Sequence, residues 1–165
     1  MSVTSRFAIP LLSAGQAQKE FFHNEAVQAL EILACPAVEE GPRQTPPPTP
    51  TTGACFIVGN TPTGAWAGKA AALACYTAGG WRFVSASEGM AAYVRSTSSW
   101  AIFRNGAWEL GIVRGSSVII DGKQVVGSRA SAITAPGGGA TVDAEARTAI
   151  DQILAALRQH GLIET

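Results

Sequence analysis

Acid–base and metal chemistry draw first on His, Asp and Glu, and this chain holds few of them at converging positions. His23 and His160 are the only histidines of the 165 residues, and Asp121, Asp143 and Asp151 the only aspartates. Asp121 belongs to a turn sequence, Asp121-Gly122, and the other two lie in a C-terminal helical segment. Paired carboxylates must meet in one pocket to share acid and base roles. Residues 54–127 supply only Glu88, Glu109 and Asp121 for that purpose. The sequence has no H-E-x-x-H, no G-x-S-x-G and no P-loop. Gly137-Gly138-Gly139 has no Lys after it and is not a nucleotide loop. His23, Asn24 and Glu25 place ligand types side by side, but read more simply as a capped helix start with solvated side chains. No catalytic residue, metal ligand or cofactor is expected.

Aromatic residues offer a different chemistry. Trp66, Trp81, Trp100 and Trp108 all fall within residues 54–127. Flat indoles on hairpins stack on sugar rings, which makes Trp66, Trp81 and Trp108 the candidate glycan-binding residues. Indoles equally fill the core of a small sheet that has few other large side chains. Trp66, set in Gly64-Ala65-Trp66-Ala67-Gly68, reads as the most exposed of them.

The composition narrows the classes further. Charged residues are 15% of the chain, against roughly 25% in an ordinary soluble domain. That is too few for a disordered chain. Twelve basic residues balance twelve acidic ones, which argues against a dedicated nucleic-acid binder. No apolar run approaches the roughly 18 residues of a membrane span, so no membrane insertion is expected. Of the 47% hydrophobic residues 29 are Ala, with 18 Gly beside them, so the core should be thin. A charge-poor surface points to coverage by other protein. Residues 1–40 carry a net −3, residues 41–120 a net +4 and residues 121–165 a net −1. The stretch from Arg6 to Ala14 imitates a signal peptide weakly, being short, broken by Pro10 and led by one Arg. No cleaved leader is expected. Cys35, Cys55 and Cys75 make an odd set with no C-x-x-C. They read as buried thiols; one bridge with one free thiol is the other reading.

Four segments must position these residues. Residues 13–34 read as helical, with Phe22, Ala26, Leu30 and Leu33 on one apolar face, Asn24 capping a helix from Glu25, and Pro36 ending it. Residues 41–53 hold five prolines and read as an extended linker that separates this first helical segment, residues 1–40, from the rest. Residues 54–127 read as an antiparallel β module. Within it Tyr76 to Phe83 repeats as Phe103 to Leu110 at an offset of 27. In each copy an aromatic precedes a glycine turn and a Trp follows it, which places both aromatics on one hairpin face. Asn105-Gly106 and Asp121-Gly122 are two-residue turn signals. Residues 128–165 read as a glycine-rich hinge and a helix capped by Thr141, with Gly161 just past its end. In that helix Ala146, Ile150, Ile153 and Leu157 form an a/d seam about two heptads long. Ile at both a and d favours three or more strands. The alternative is an amphipathic helix docked on its own β module.

The order of several short motifs resembles an uncharacterised domain family of alphaproteobacterial prophage and gene-transfer-agent virion proteins of tail-fibre type. These are Gly15-Gln16-Ala17-Gln18-Lys19 with His23-Asn24-Glu25-Ala26, then Ile57-Val58-Gly59, then Thr63-Gly64-Ala65-Trp66-Ala67-Gly68. Gly80-Trp81-Arg82-Phe83 and Glu88-Gly89 follow. The tail resembles fibre C-termini through Val125 to Arg129, Ala132-Ile133, Gly138 to Asp143, Ala146-Arg147 and Leu157 to Ile163. The resemblance implies a virion structural role, made in the bacterial cytoplasm, in a fibre-like and usually trimeric protein. It implies other virion proteins as partners, with Gln16, Gln18, Lys19, Asn24 and Glu25 in a particle-anchoring segment. The proline-rich insert and the short length depart from a whole fibre, and favour a small fibre, fibre adaptor or spike component.

The expectation is therefore an α+β, mainly β, non-enzymatic protein that assembles with copies of itself. Its rival is a carbohydrate-binding module for surface polysaccharide.

Overall fold

The computed structural model describes residues 2–13, 15, 19–141 and 143–164. The protein is α+β and mainly β, with one helix towards each end and several antiparallel sheets. It divides into two compact units, residues 1–112 and 113–165.

In the first unit, helix α1 (Lys19–Ala34) leads into β1 (Ala37–Val38). The strands β2 (Cys55–Ile57), β3 (Leu73–Thr77) and β4 (Gly80–Val84) form one antiparallel sheet in that order. A second sheet has the order β1, β5 (Ala91–Val94), β6 (Ser99–Arg104), β7 (Ala107–Leu110), with β1 parallel to β5.

Alternation in β2 and β3 builds two cores on the two faces of one sheet. Cys55, Ile57, Leu73 and Cys75 join Ile32, Val38, Ala92, Val94 and Ala101 in the first. Phe56, Val58, Ala72 and Ala74 join Trp66 in the second, against Trp81 and Phe83. The offset repeat corresponds to two like hairpins. Tyr76 pairs with Trp81 and Phe103 with Trp108 across their ladders, with ring centroids 5.1 and 5.4 Å apart. Asn105 and Gly106 both have positive φ, as a type I′ turn requires.

Three expectations change here. The first concerns α1, whose Phe22, Leu30 and Leu33 are 72%, 62% and 41% exposed, while Glu31 and Ile32 are buried. The inward face is mixed: Ile32 enters the first core, while Glu31 and Asn24 turn in with hydrogen-bond partners. Asn24 is not a cap: it sits inside the helix, accepting from Leu12 N–H at 2.9 Å and donating to Leu12 C=O at 3.0 Å. Glu25 meets Arg82 Nε at 2.8 Å.

The second concerns residues 41–53, which are not a free linker. Prolines remove only their own amides, and the remaining groups are used. Arg43 bridges Val58 in parallel, Thr63 N–H donates to Gln44 C=O, and Gly53 N–H donates to Tyr76 C=O. Gly59 lies directly under the Gln44 side chain, where a Cβ would collide.

The third concerns the cysteines. Cys55 and Cys75 are opposite one another in the β2–β3 ladder with Cα atoms 4.1 Å apart, and they form a disulfide. Cys35 is the exposed free thiol.

The second unit holds the hairpin β8 (Val118–Ile120) and β9 (Lys123–Val126) and helix α2 (Ala144–Gln159). Positive φ at Asp121 and Gly122 closes the hairpin. The helix cap is Asp143, not Thr141: its carboxylate accepts the Ala146 N–H at 2.8 Å. Gly161 takes the left-handed position after the helix, with φ +68°. The glycine-rich stretch is tied down, because Arg158 donates to Ile133 C=O at 2.6 Å and Arg147 to Gly138 C=O. Ala130 forms a parallel bridge with Ile163, past the end of α2.

Candidate functional site

Of the expected glycan residues, Trp66 is buried and Trp81 and Trp108 are half-buried. Trp66 closes a 3-10 turn (Gly64–Trp66) and is wholly buried, the reverse of the expected exposure. Its small neighbours let the turn fold tightly over the second core. Its ring meets Phe56 at 5.7 Å and Trp81 at 5.1 Å, both in tilted or edge-on geometry. The Trp66 N–H has no partner among the described residues. Trp81 is half-buried between Trp66 and Tyr76. Trp108 is half-buried as well, and its N–H donates to Ala71 C=O at 2.8 Å.

Among the tryptophans, Trp100 reaches solvent, paired with half-buried Tyr93 directly opposite in the β5–β6 ladder with centroids 5.6 Å apart. Trp100 is 57% exposed. Alternation in β6 carries the signal for it. Ala101 is wholly buried, so its neighbour Trp100 must point to the other face.

The expected a/d seam lies open on α2. Ile150 and Ile153 are 43% and 59% exposed, Ala146 is exposed and Leu157 half-buried, while Leu154 turns inward. Both strands of the β8–β9 hairpin are exposed throughout, including Val118, Ile119, Ile120, Val125 and Val126. In the anchoring segment, Asn24 and Glu25 are occupied by Leu12 and Arg82. Lys19 is exposed at the start of α1. Gln16 and Gln18 lie outside the described residues.

One cleft of about 700 Å³ opens in the first unit. Its walls come from residues 5–7, 35–39, 47–56 and Arg95. Sequence reading missed it because no single stretch contains it. The N-terminal wall is fixed by the buried carboxylate of Glu31, which accepts the N–H groups of Arg6 and Phe7 at 3.0 and 2.7 Å. Gly53 takes φ +89°, a backbone conformation that favours glycine, beside the Ser5–Arg6 chain. The Arg6 guanidinium lies 5.5 Å from the Phe7 ring centroid, and no carboxylate pairs with it among the described residues. Arg95 is paired with Glu39 at 3.1 Å.

Among the described residues no His, Cys, Asp or Glu cluster is arranged to hold a metal ion. No helix there is long and apolar enough to cross a membrane.

A family model described as "Protein of unknown function (DUF2793)" matches residues 23–109. That span runs from α1 to β7 and covers more than half of the chain. No curated protein matches the sequence.

Proposed function

The chain belongs to the DUF2793 family, and we propose that it is a virion structural protein of a phage or gene transfer agent. In this reading it is a small fibre, fibre adaptor or spike component, acting in particle assembly and host attachment. Its partners are two further copies of itself and other virion proteins, and it carries no catalysis, nucleic-acid binding or membrane insertion.

The observation that supports assembly most is the open apolar surface of the second unit. Among the described residues there, Leu154 and Ile163 are the buried hydrophobics, against exposed Val118, Ile119, Ile120, Ile150 and Ile153. A lone two-stranded hairpin is marginal in water, and a two-heptad helix is too short to hold a coiled coil alone. Copies packed together bury both at once. Ile at the a and d positions favours three strands or more. The outward Phe22, Leu30 and Leu33 of α1 offer a separate apolar surface for the particle.

The test has two arms. Light scattering measures the mass of the purified chain, with Ile150→Asp/Ile153→Asp expected to fall to monomer. An antibody against the chain is expected to label particles purified from the producing bacterium, and unlabelled particles would contradict the virion role.

A second reading, a module that binds host surface polysaccharide through exposed Trp, is favoured by Trp100 beside Tyr93. There Trp100→Ala abolishes glycan binding and leaves assembly intact.

A further inference from the structure

The geometry points to the cleft behind Arg6 as a binding site for an acidic saccharide, a short oligosaccharide bearing a uronate carboxylate. The proposal rests on the polysaccharide-binding reading and is independent of assembly.

Four features converge on that ligand class. The first is charge. Arg6 and Arg95 face the cleft and only Glu39 answers them, so the lining keeps one cation in excess. A guanidinium without a carboxylate, beside half-buried protein walls, is a fork for a planar anion. The second is the row of hydroxyls. Thr49, Thr51 and Thr52 line the cleft, and their side chains make no hydrogen bond among the described residues. Hydroxyls that both donate and accept match sugar hydroxyls. The third is apolar surface. Phe7 is 48% exposed at the mouth, where a ring can stack on the face of a pyranose. The fourth is size. About 700 Å³ lies within the usual range of small-molecule sites and is larger than a single small anion needs.

The walls are also pre-formed. Glu31 fixes the backbone on which Arg6 and Phe7 stand, using the two amides of these residues and not their side chains. The Cys55–Cys75 bridge fixes the strand start that follows the threonine wall. Pre-organised walls lower the cost of ordering a ligand.

The test is calorimetric or NMR titration of the full chain with trigalacturonate and with an alginate trisaccharide. Methyl-esterified trigalacturonate and a triglutamate peptide are the comparators. The expected result is binding of at least one uronate, weakened about tenfold or more by esterification and by Arg6→Gln, and weakened by added salt. Arg6→Gln keeps the backbone amide that Glu31 holds and gives up the side chain's contacts with the Phe7 ring and Cys55 Sγ, so its melting temperature should lie close to the parent's. Thr51→Val supplies a second variant that leaves the charge in place and should also weaken binding. No uronate binding, equal binding of the ester, equal binding of triglutamate, or indifference to Arg6→Gln would each overturn the proposal. A neutral glycan lost on Trp100→Ala but not on Arg6→Gln would leave the polysaccharide reading standing and remove the cleft from it. The light-scattering mass is expected to be unchanged in all three variants.

Discussion

Glu31 Oε1 accepts the backbone N–H of Phe7 at 2.7 Å, across 24 residues of chain, from a position 3% exposed to solvent. The same oxygen accepts from Arg6 N–H at 3.0 Å. A buried carboxylate is stable only when hydrogen-bonded, and here the donors are the N-terminal strap itself.

Glu31→Ala leaves two amides without an acceptor. A loss of about 2–4 kcal/mol is expected, at about 1–3 kcal/mol per stranded group with partial relief by water. Urea denaturation measures the total. Hydrogen exchange should accelerate at Arg6 and Phe7 before it does in the sheets. Unchanged protection at those two amides would contradict the strap.

Trp66 and Trp81 meet edge to face at 5.1 Å over the second core. Trp66→Ala should cost about 3–5 kcal/mol, as large core truncations do. Trp66→Phe should cost far less, because it keeps a ring and removes a buried N–H that has no partner among the described residues. Thermal melts of the two variants check the difference. Equal destabilisation would contradict this placement of the indole.

The disulfide closes a loop with a sequence separation of 20. Loop closure of that length contributes about 3 kcal/mol. Cys55→Ala/Cys75→Ala is expected to lower the denaturation midpoint accordingly, and Cys35→Ser to leave it nearly unchanged, since Cys35 is exposed and free. Mass spectrometry after alkylation should find Cys35 alone modified in the native protein.

Local signals foretold local structure well. Asn105-Gly106 and Asp121-Gly122 turn as their positive φ requires, and the 27-residue offset marks two aromatic ladder pairs. What a sequence window does not hold is the partner. The apolar stripe of α1 identifies a real face, but that face stays outward, and Ile32 turns in together with polar residues whose partners are Leu12, Arg82 and the Arg6–Phe7 amides. Trp66 among glycines and alanines looks exposed until Phe56 and Trp81 are placed around it. The proline run looks like a spacer until its remaining amides and carbonyls find β2 and the loop after it. The Cys55–Cys75 pairing follows from ladder register, which spacing alone does not supply. The cleft draws on four separate stretches and had no signature.

The central claim is that this chain works as an assembled particle component, and its most direct test is the solution mass by light scattering coupled to size exclusion. A mass of three chains is predicted at tens of micromolar, falling to one chain for Ile150→Asp/Ile153→Asp with the first unit still folded. A strictly monomeric parent protein at that concentration would contradict the account.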